Sequence, residues 1–213
     1  MVVPEHSVAR SPLAEWAMPS RWSSLVFGAK VTVYRARRLV ADLVSGPHRL
    51  ARSPGPAREP VIAECSTPLW PDARSEEQAY QLGKVHNLRH AAALLDGIVV
   101  PAGATFSFWK QIGRANRRRG FVTGRMLQQG CLVAATGGGL CQLSNALYVA
   151  ALHADCEIVE RHAHSRRVAG SAAALGRDAT VAWNYVDLRF RPRRDLDFQG
   201  ESPYRPILRR GGG

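Results

Sequence analysis

Cys141 stands two residues after the last of three consecutive glycines, Gly137, Gly138 and Gly139, and ahead of a run with helical apolar spacing. Leu143, Leu147, Ala150, Ala151 and Ala154 form that stripe, so a helix is expected from about Cys141 to Ala154. Glycines before a helix let the backbone turn sharply and approach a ligand closely. A cysteine at a helix N-terminus meets unpaired N–H groups and the positive dipole end, which favour the thiolate. A thiolate nucleophile needs a base and a group that orients the base. His162 and His164 alternate on a strand expected over about 157–164, which puts them on one face. Asp178 opens the next expected strand, over about 179–190. The expectation is that Cys141 attacks a carbonyl, a histidine moves the proton, with His164 preferred over His162, and Asp178 orients that histidine. Backbone amides of the glycine turn could hold the oxyanion.

Two other classes of chemistry fit the same residues. Cys141, His162 and His164 could hold Zn²⁺ with an open fourth position. The glycine turn at a helix start is also an anion site. With Arg117, Arg118, Arg119, Arg161, Arg166 and Arg167 around it, a non-catalytic binder of an anionic precursor is the third class. Each feature has a plainer counterpart: a small buried core thiol, a glycine run for helix packing, histidines in structural hydrogen bonds, Asp178 as a turn residue, and Asp187 paired with an arginine.

The elements that would position these residues follow from periodicity. Leu25, Val26, Ala29, Val33, Ala36 and Val40 predict a helix over about 23–43, interleaved with Lys30, Arg35, Arg37 and Arg38. The preferred reading packs its apolar stripe on the domain and leaves a solvated arginine face. The alternative lays it on a membrane surface. Pro47, Pro54, Pro56 and Pro60 mark a linker or surface loop. A second helix is expected over about 75–96, capped at Ser75, with Tyr80, Leu82, Val85, Leu88, Ala92 and Leu95 buried and Gly97 ending it. Ile98 to Val100 reads as a short strand, Thr105 to Trp109 as an aromatic strand or loop, and 110–130 as a basic loop. Helices first and strands later predict an α+β domain, its Cys-bearing helix packed on an antiparallel sheet that includes the two strands after it. The expected divisions are a loosely integrated helical segment and linker over 1–60, a domain over 61–205, and a flexible tail over 206–213.

Charge narrows the partners. Twenty-nine Lys and Arg against 17 Asp and Glu give a formal +12, which suits an anionic partner. Nucleic acid is disfavoured, because Phe106, Phe108 and Trp109 sit in no known nucleic-acid module. Cys65, Cys131, Cys141 and Cys156 make no Cys-x-x-Cys pair and no disulfide framework. No apolar run approaches the roughly 20 residues of a membrane span, and the first residues lack a secretory signal pattern. A cytoplasmic protein is expected.

Five segments in order resemble the VanW family. Pro101-Ala-Gly-Ala-Thr-Phe-Ser-Phe108 is similar to its PG-x-x-FSF element. Gly137-Gly-Gly-Leu-Cys-Gln-Leu-Ser-Asn-Ala-Leu-Tyr148 is similar to its GGG-x-CQ signature, and Glu160-Arg-His-Ala-His-Ser165 to ERH-x-HS. Gly176-Arg-Asp-Ala-Thr-Val181 and Asp187-Leu-Arg-Phe190 resemble its closing elements. Together they cover about 78–191. Ala102 stands where the family often has glycine, and Ser144-Asn145 where it has two hydroxyl residues, so no hydroxyl at 145 is essential. The resemblance implies a link to glycopeptide resistance and cell-wall metabolism, with a peptide-bearing or anionic envelope precursor as partner. Within these motifs Gly137, Gly138, Gly139, Gln142, Ser144, Arg161, Phe106 and Ser107 are the expected substrate-contacting residues, with no cofactor unless the zinc reading holds. The order of Cys on a helix and His and Asp on later strands is also similar to the transglutaminase-like arrangement.

Overall fold

A computed structural model describes residues 21–53, 61–65, 78–128, 131–164, 176–202 and 205–210. The fold is α+β, with four α-helices among the described residues and antiparallel sheets in one domain. The first helix is α1 (Arg21–Ser45), followed by strand β1 (Val61–Glu64) and helix α2 (Gln78–Leu95). Short strands β2 (Val99–Val100) and β3 (Phe106–Ser107) lead into α3 (Phe108–Ile112). A hairpin of β4 (Thr123–Gln128) and β5 (Cys131–Thr136) precedes α4 (Leu140–His153). The chain closes with β6 (Glu157–Glu160), β7 (Arg189–Arg191), β8 (Leu196–Ser202) and β9 (Arg205–Arg210).

One sheet has the order β1-β9-β8-β2, a second β3-β7-β6, and β4 pairs with β5 as a two-stranded hairpin. Helix α4 packs on β1 and β9, α2 on β4 and β8, and the two helices touch each other. Phe106 on β3 stacks on Phe190 of β7 at 4.6 Å and on Phe198 of β8 at 5.0 Å between ring centroids. All three rings are buried, so they join the two larger sheets; each such pair adds about 1 kcal/mol beyond its buried area. Gly97 ends α2 with φ 71°, the left-handed backbone that glycine adopts without strain.

Several expectations are corrected. Helix α4 lies on β1 and β9 of the four-stranded sheet; the two strands after the helix, β6 and β7, both belong to the three-stranded sheet, where β6 touches the helix. The expected flexible tail from 206 is instead most of β9, with Ile207 and Leu208 buried between β1 and β8. Its arginines hide a strand whose Ile207 and Leu208 fill the core. The expected basic loop over 110–130 contains β4. The expected aromatic strand at 105–109 becomes β3 followed at once by α3, because the Ser107 hydroxyl caps the helix by accepting from the Lys110 N–H. Leu82 is exposed, while Gly83, Asn87 and Ala91 are buried on α2. The Ser75 cap lies outside the described residues.

Helix α1 is turned the other way from the preferred expectation. Its arginine face docks and its apolar face looks outward. Arg38 makes a two-pronged ion pair with Glu160, and Arg189 Nη2 donates to both oxygens of Asp42, at 2.8 and 3.0 Å. Arg35 Nε donates to the Trp183 carbonyl at 3.1 Å. Arg35, Arg38 and Asp42 lie on one side of the helix by their spacing of three and four. Burial would raise the Glu160 carboxyl, but the Arg38 hydrogen bonds and charge, with Arg189, hold it below its ordinary range.

Candidate active site

The site forms where the glycine turn hands the chain to α4. Gly137 and Gly139 have φ of 78° and 97°, and Gly139 is the N-cap of α4. Gly138 has ordinary φ but no room: a Cβ there would sit 2.3 Å from the carbonyl carbon of Gly124 on β4. The turn is fixed from α2 by Asn87, a wholly buried amide. Its Nδ2 donates to the carbonyls of Val122 and Gly138, both at 3.0 Å, and its Oδ1 accepts from the Val122 N–H at 2.9 Å. The N–H groups of Gly137 and Gly138 are committed to Val122 and Ala135, and that of Gln142 to Gly139. Leu140 and Cys141 come first in α4, where N–H groups have no acceptor within the helix.

Cys141 is thus the second residue of α4 and half-buried. Its Sγ lies 3.6 Å from Thr180 Oγ1 and 3.7 Å from the Val181 carbonyl, which accepts only from the protonated thiol. The imidazole of His164 lies near enough to the sulfur for each to shift the other's titration. Asp178 holds that imidazole: its Oδ2 accepts from His164 Nδ1 at 3.1 Å and from the His164 backbone N–H at 2.7 Å. With Nδ1 engaged, Nε2 is the nitrogen left for the sulfur. Asp178 is in turn fixed by Arg161, whose Nη2 donates to Oδ1 at 2.8 Å and Nε to the Asp178 carbonyl at 2.7 Å. Arg161 Nη2 also donates to the Gly176 carbonyl at 3.2 Å, and its guanidinium lies 5.2 Å from the ring centroid of Tyr148.

The three groups push one another toward the charged pair. Burial raises the Cys141 thiol, but the hydrogen bond with His164, followed by Thr180 and other contacts, brings it below its ordinary value. The hydrogen bond with Cys141 raises His164 most; burial opposes it, and Asp178 adds to the rise. Burial raises Asp178, but the hydrogen bonds from His164 and the Arg161 charge hold it low.

Across α4, Ser144 and Asn145 clamp the segment that carries Asp178. The buried Ser144 hydroxyl is shared between the carbonyls of Ala179 and Cys141, and Asn145 Oδ1 accepts from the Ala179 N–H at 2.7 Å. An amide oxygen does here what a hydroxyl oxygen could also do.

Of the expected site residues, Cys141, His164 and Asp178 come together beside the glycine turn. His162 does not join them. Strand β6 ends at Glu160, alternation lapses, and the His162 side chain is 50% exposed with Nε2 3.2 Å from Glu160 Oε1. The Cys141, His162, His164 metal set is accordingly not assembled. Among the described residues, no three His, Cys, Asp or Glu are arranged to hold a metal ion. Phe106 lies in the core, and Ser107 is buried with its hydroxyl on Asp187 at 2.6 Å. Asp187 also takes Arg189 Nε at 2.9 Å, the arginine pairing read as its plainer role. Arg117 and Arg118 are exposed on a 3-10 turn; Arg166 and Arg167 lie outside the described residues. Sequence reasoning missed Asn87, Thr180 and Asn145 as positioning residues. An asparagine between Val85 and Leu88 on an apolar helix face was the signal for the first.

A family model described as "VanW like protein" matches residues 83–201. The chain belongs to the VanW family. It is 34% identical over 142 residues to the vancomycin B-type resistance protein VanW of Enterococcus faecalis, covering 65% of this chain and 52% of that protein. It is 38% identical over 105 residues to the uncharacterized protein YoaR of Bacillus subtilis, covering 49% of this chain and 34% of that one. The chain thus spans about half and a third of the lengths of these relatives. No solved structure gives a significant match.

Proposed function

We propose that this chain is a cysteine-dependent acyl-transfer or amide-hydrolysing enzyme acting on a peptide-bearing cell-envelope precursor. The observation that carries the reading is the meeting of Cys141, at the start of α4, with a His164 imidazole held by Asp178. The Cys141 sulfur attacks a substrate carbonyl carbon, and the carbonyl electron pair moves to oxygen. His164 holds the thiol proton and delivers it to the leaving amine as the tetrahedral species collapses to a thioester. Water or an acceptor amine then attacks the thioester, gives a proton to His164, and expels the sulfur. Asp178 keeps the imidazole in the tautomer this requires, as in other triads. The N–H groups of Leu140 and Cys141 are the donors for the oxyanion. Envelope chemistry is supported by kinship to a protein named for vancomycin resistance, and the +12 charge suits phosphate- or carboxylate-bearing substrates.

A limiting electrophile, applied to the folded protein at several pH values with the labelled residue mapped, tests the reading. Cys141 is expected to label ahead of Cys65, Cys131 and Cys156, with an apparent pKa below the roughly 8.5 of a free thiol. His164→Ala is expected to slow that labelling by about tenfold or more without unfolding the protein. An inert Cys141 beside reactive other thiols would sink the enzyme reading and leave a non-catalytic precursor binder.

A further inference from the structure

The outward face of α1 is an apolar stripe on which none of the described residues packs. Leu25, Val26, Val33, Val40, Leu43 and Val44 are all exposed, Val33 by 59%, Val40 by 62% and Leu43 by 78%. Their spacing places them along one side of the helix, opposite the Arg35, Arg38 and Asp42 face that docks. From Trp22, itself exposed, to Val44 the stripe runs about 33 Å at the rise of an α-helix. A surface helix of a water-facing protein normally turns such a stripe inward; here ion pairs hold it out.

Charge decides what the stripe meets. The one carboxylate of α1, Asp42, is turned inward onto Arg189. The exposed Lys30 and Arg37 border the stripe, so the outward side of α1 is cationic. A second copy, itself of formal charge +12, would bring its own Lys30 and Arg37 against this face, whereas an anionic lipid surface neutralises these cations. No helix among the described residues is long and apolar enough to cross a membrane; one apolar side with cations at its borders suits a helix lying in the headgroup plane.

We propose that α1 docks this protein on an anionic lipid surface, with Leu25, Val33, Val40 and Leu43 entering the acyl boundary and Lys30 and Arg37 meeting the headgroups. The docked side of α1 grips Glu160, Trp183 and Arg189, residues that flank the two segments carrying His164 and Thr180. The surface would therefore hold the Cys141 site at a fixed orientation to the lipid. Such docking would hold whether or not that site is catalytic.

The full chain is mixed with phosphatidylcholine vesicles, or with vesicles that also contain phosphatidylglycerol, and floated. Flotation is expected with the anionic vesicles and not with phosphatidylcholine alone. The double change Val33→Asp with Val40→Asp should weaken it by about tenfold or more, with thermal unfolding unchanged because both side chains face outward. Lys30→Gln with Arg37→Gln, which leaves the stripe intact, should also lose binding to anionic vesicles. Absence of flotation with anionic vesicles, or unchanged binding by both double variants, overturns the proposal. So does a wild-type dimer, seen by sedimentation without lipid, that the aspartate variant converts to monomer; the stripe would then belong to a second copy.

Discussion

Cys141 and Cys156 are thiols at opposite ends of α4, and their surroundings drive them apart. Cys156 lies just beyond the helix C-terminus, where burial and the neighbouring Asp155 push it up to about 11. Cys141 sits at the N-terminus with His164 beside it and is brought down. The Cys–His pair depends in turn on Asp178, whose carboxyl is held low. Its interactions stabilise the fold above the ordinary carboxylate range and are lost as pH falls through the depressed value. Asp178→Asn is therefore expected to lower the unfolding free energy by about 1–3 kcal/mol at neutral pH, with the gap to wild type closing in acid. Urea titrations of both proteins at several pH values measure this. A constant gap through the acid range would mean that Asp178 acts by shape rather than charge.

Helix α2 positions the glycine turn through a single amide. Asn87→Ala removes its bonds to Val122 and Gly138 and leaves buried partners unsatisfied. The expected cost is about 2–3 kcal/mol, measured by chemical denaturation, together with slower Cys141 labelling as the start of α4 loosens. Stability loss without a change in labelling would separate Asn87 from the site. How far such elements were legible in the sequence depends on what each pattern encodes. The spacing of apolar residues located α2 and α4, and the thiol, His164 and Asp178 could be read because α4 was placed within a residue. His162 could not be excluded, since its exclusion follows from β6 ending at Glu160, and strand ends are set by pairing with β7. Periodicity found α1 but not its orientation: an amphipathic pattern says that two faces differ, not which one meets the protein. Strand β4 was hidden by Arg125 and the glycines on either side of it, and β9 by Arg205, Arg209 and Arg210, because charge and glycine read as loop or tail when no apolar alternation is visible.

The domain as a whole extends beyond the family match. That match ends at residue 201 and begins at 83, yet β1 and β9 lie outside it and form half of the four-stranded sheet. Leu208 is wholly buried and Ile207 nearly so. Deleting residues 205–213 is expected to abolish cooperative thermal unfolding, followed by circular dichroism, because β1 and β8 lose their shared partner and α4 loses part of its floor. A truncated protein that unfolds at the wild-type temperature would show β9 to be dispensable.

The placement of β9 also sets an order in time. Val61 waits for Arg209 as its register partner, so the first strand made in this sheet stays unpaired until the last has left the ribosome. Sheets closed by such distant pairings form slowly, because the long chain loop must be ordered before the contact repays it. Meanwhile the open edges of β1 and β8 are sticky templates for other chains. Synthesis of this protein therefore passes through an interval in which the Cys141 helix is already made but has no complete floor, and a chaperone would find its substrate in that interval.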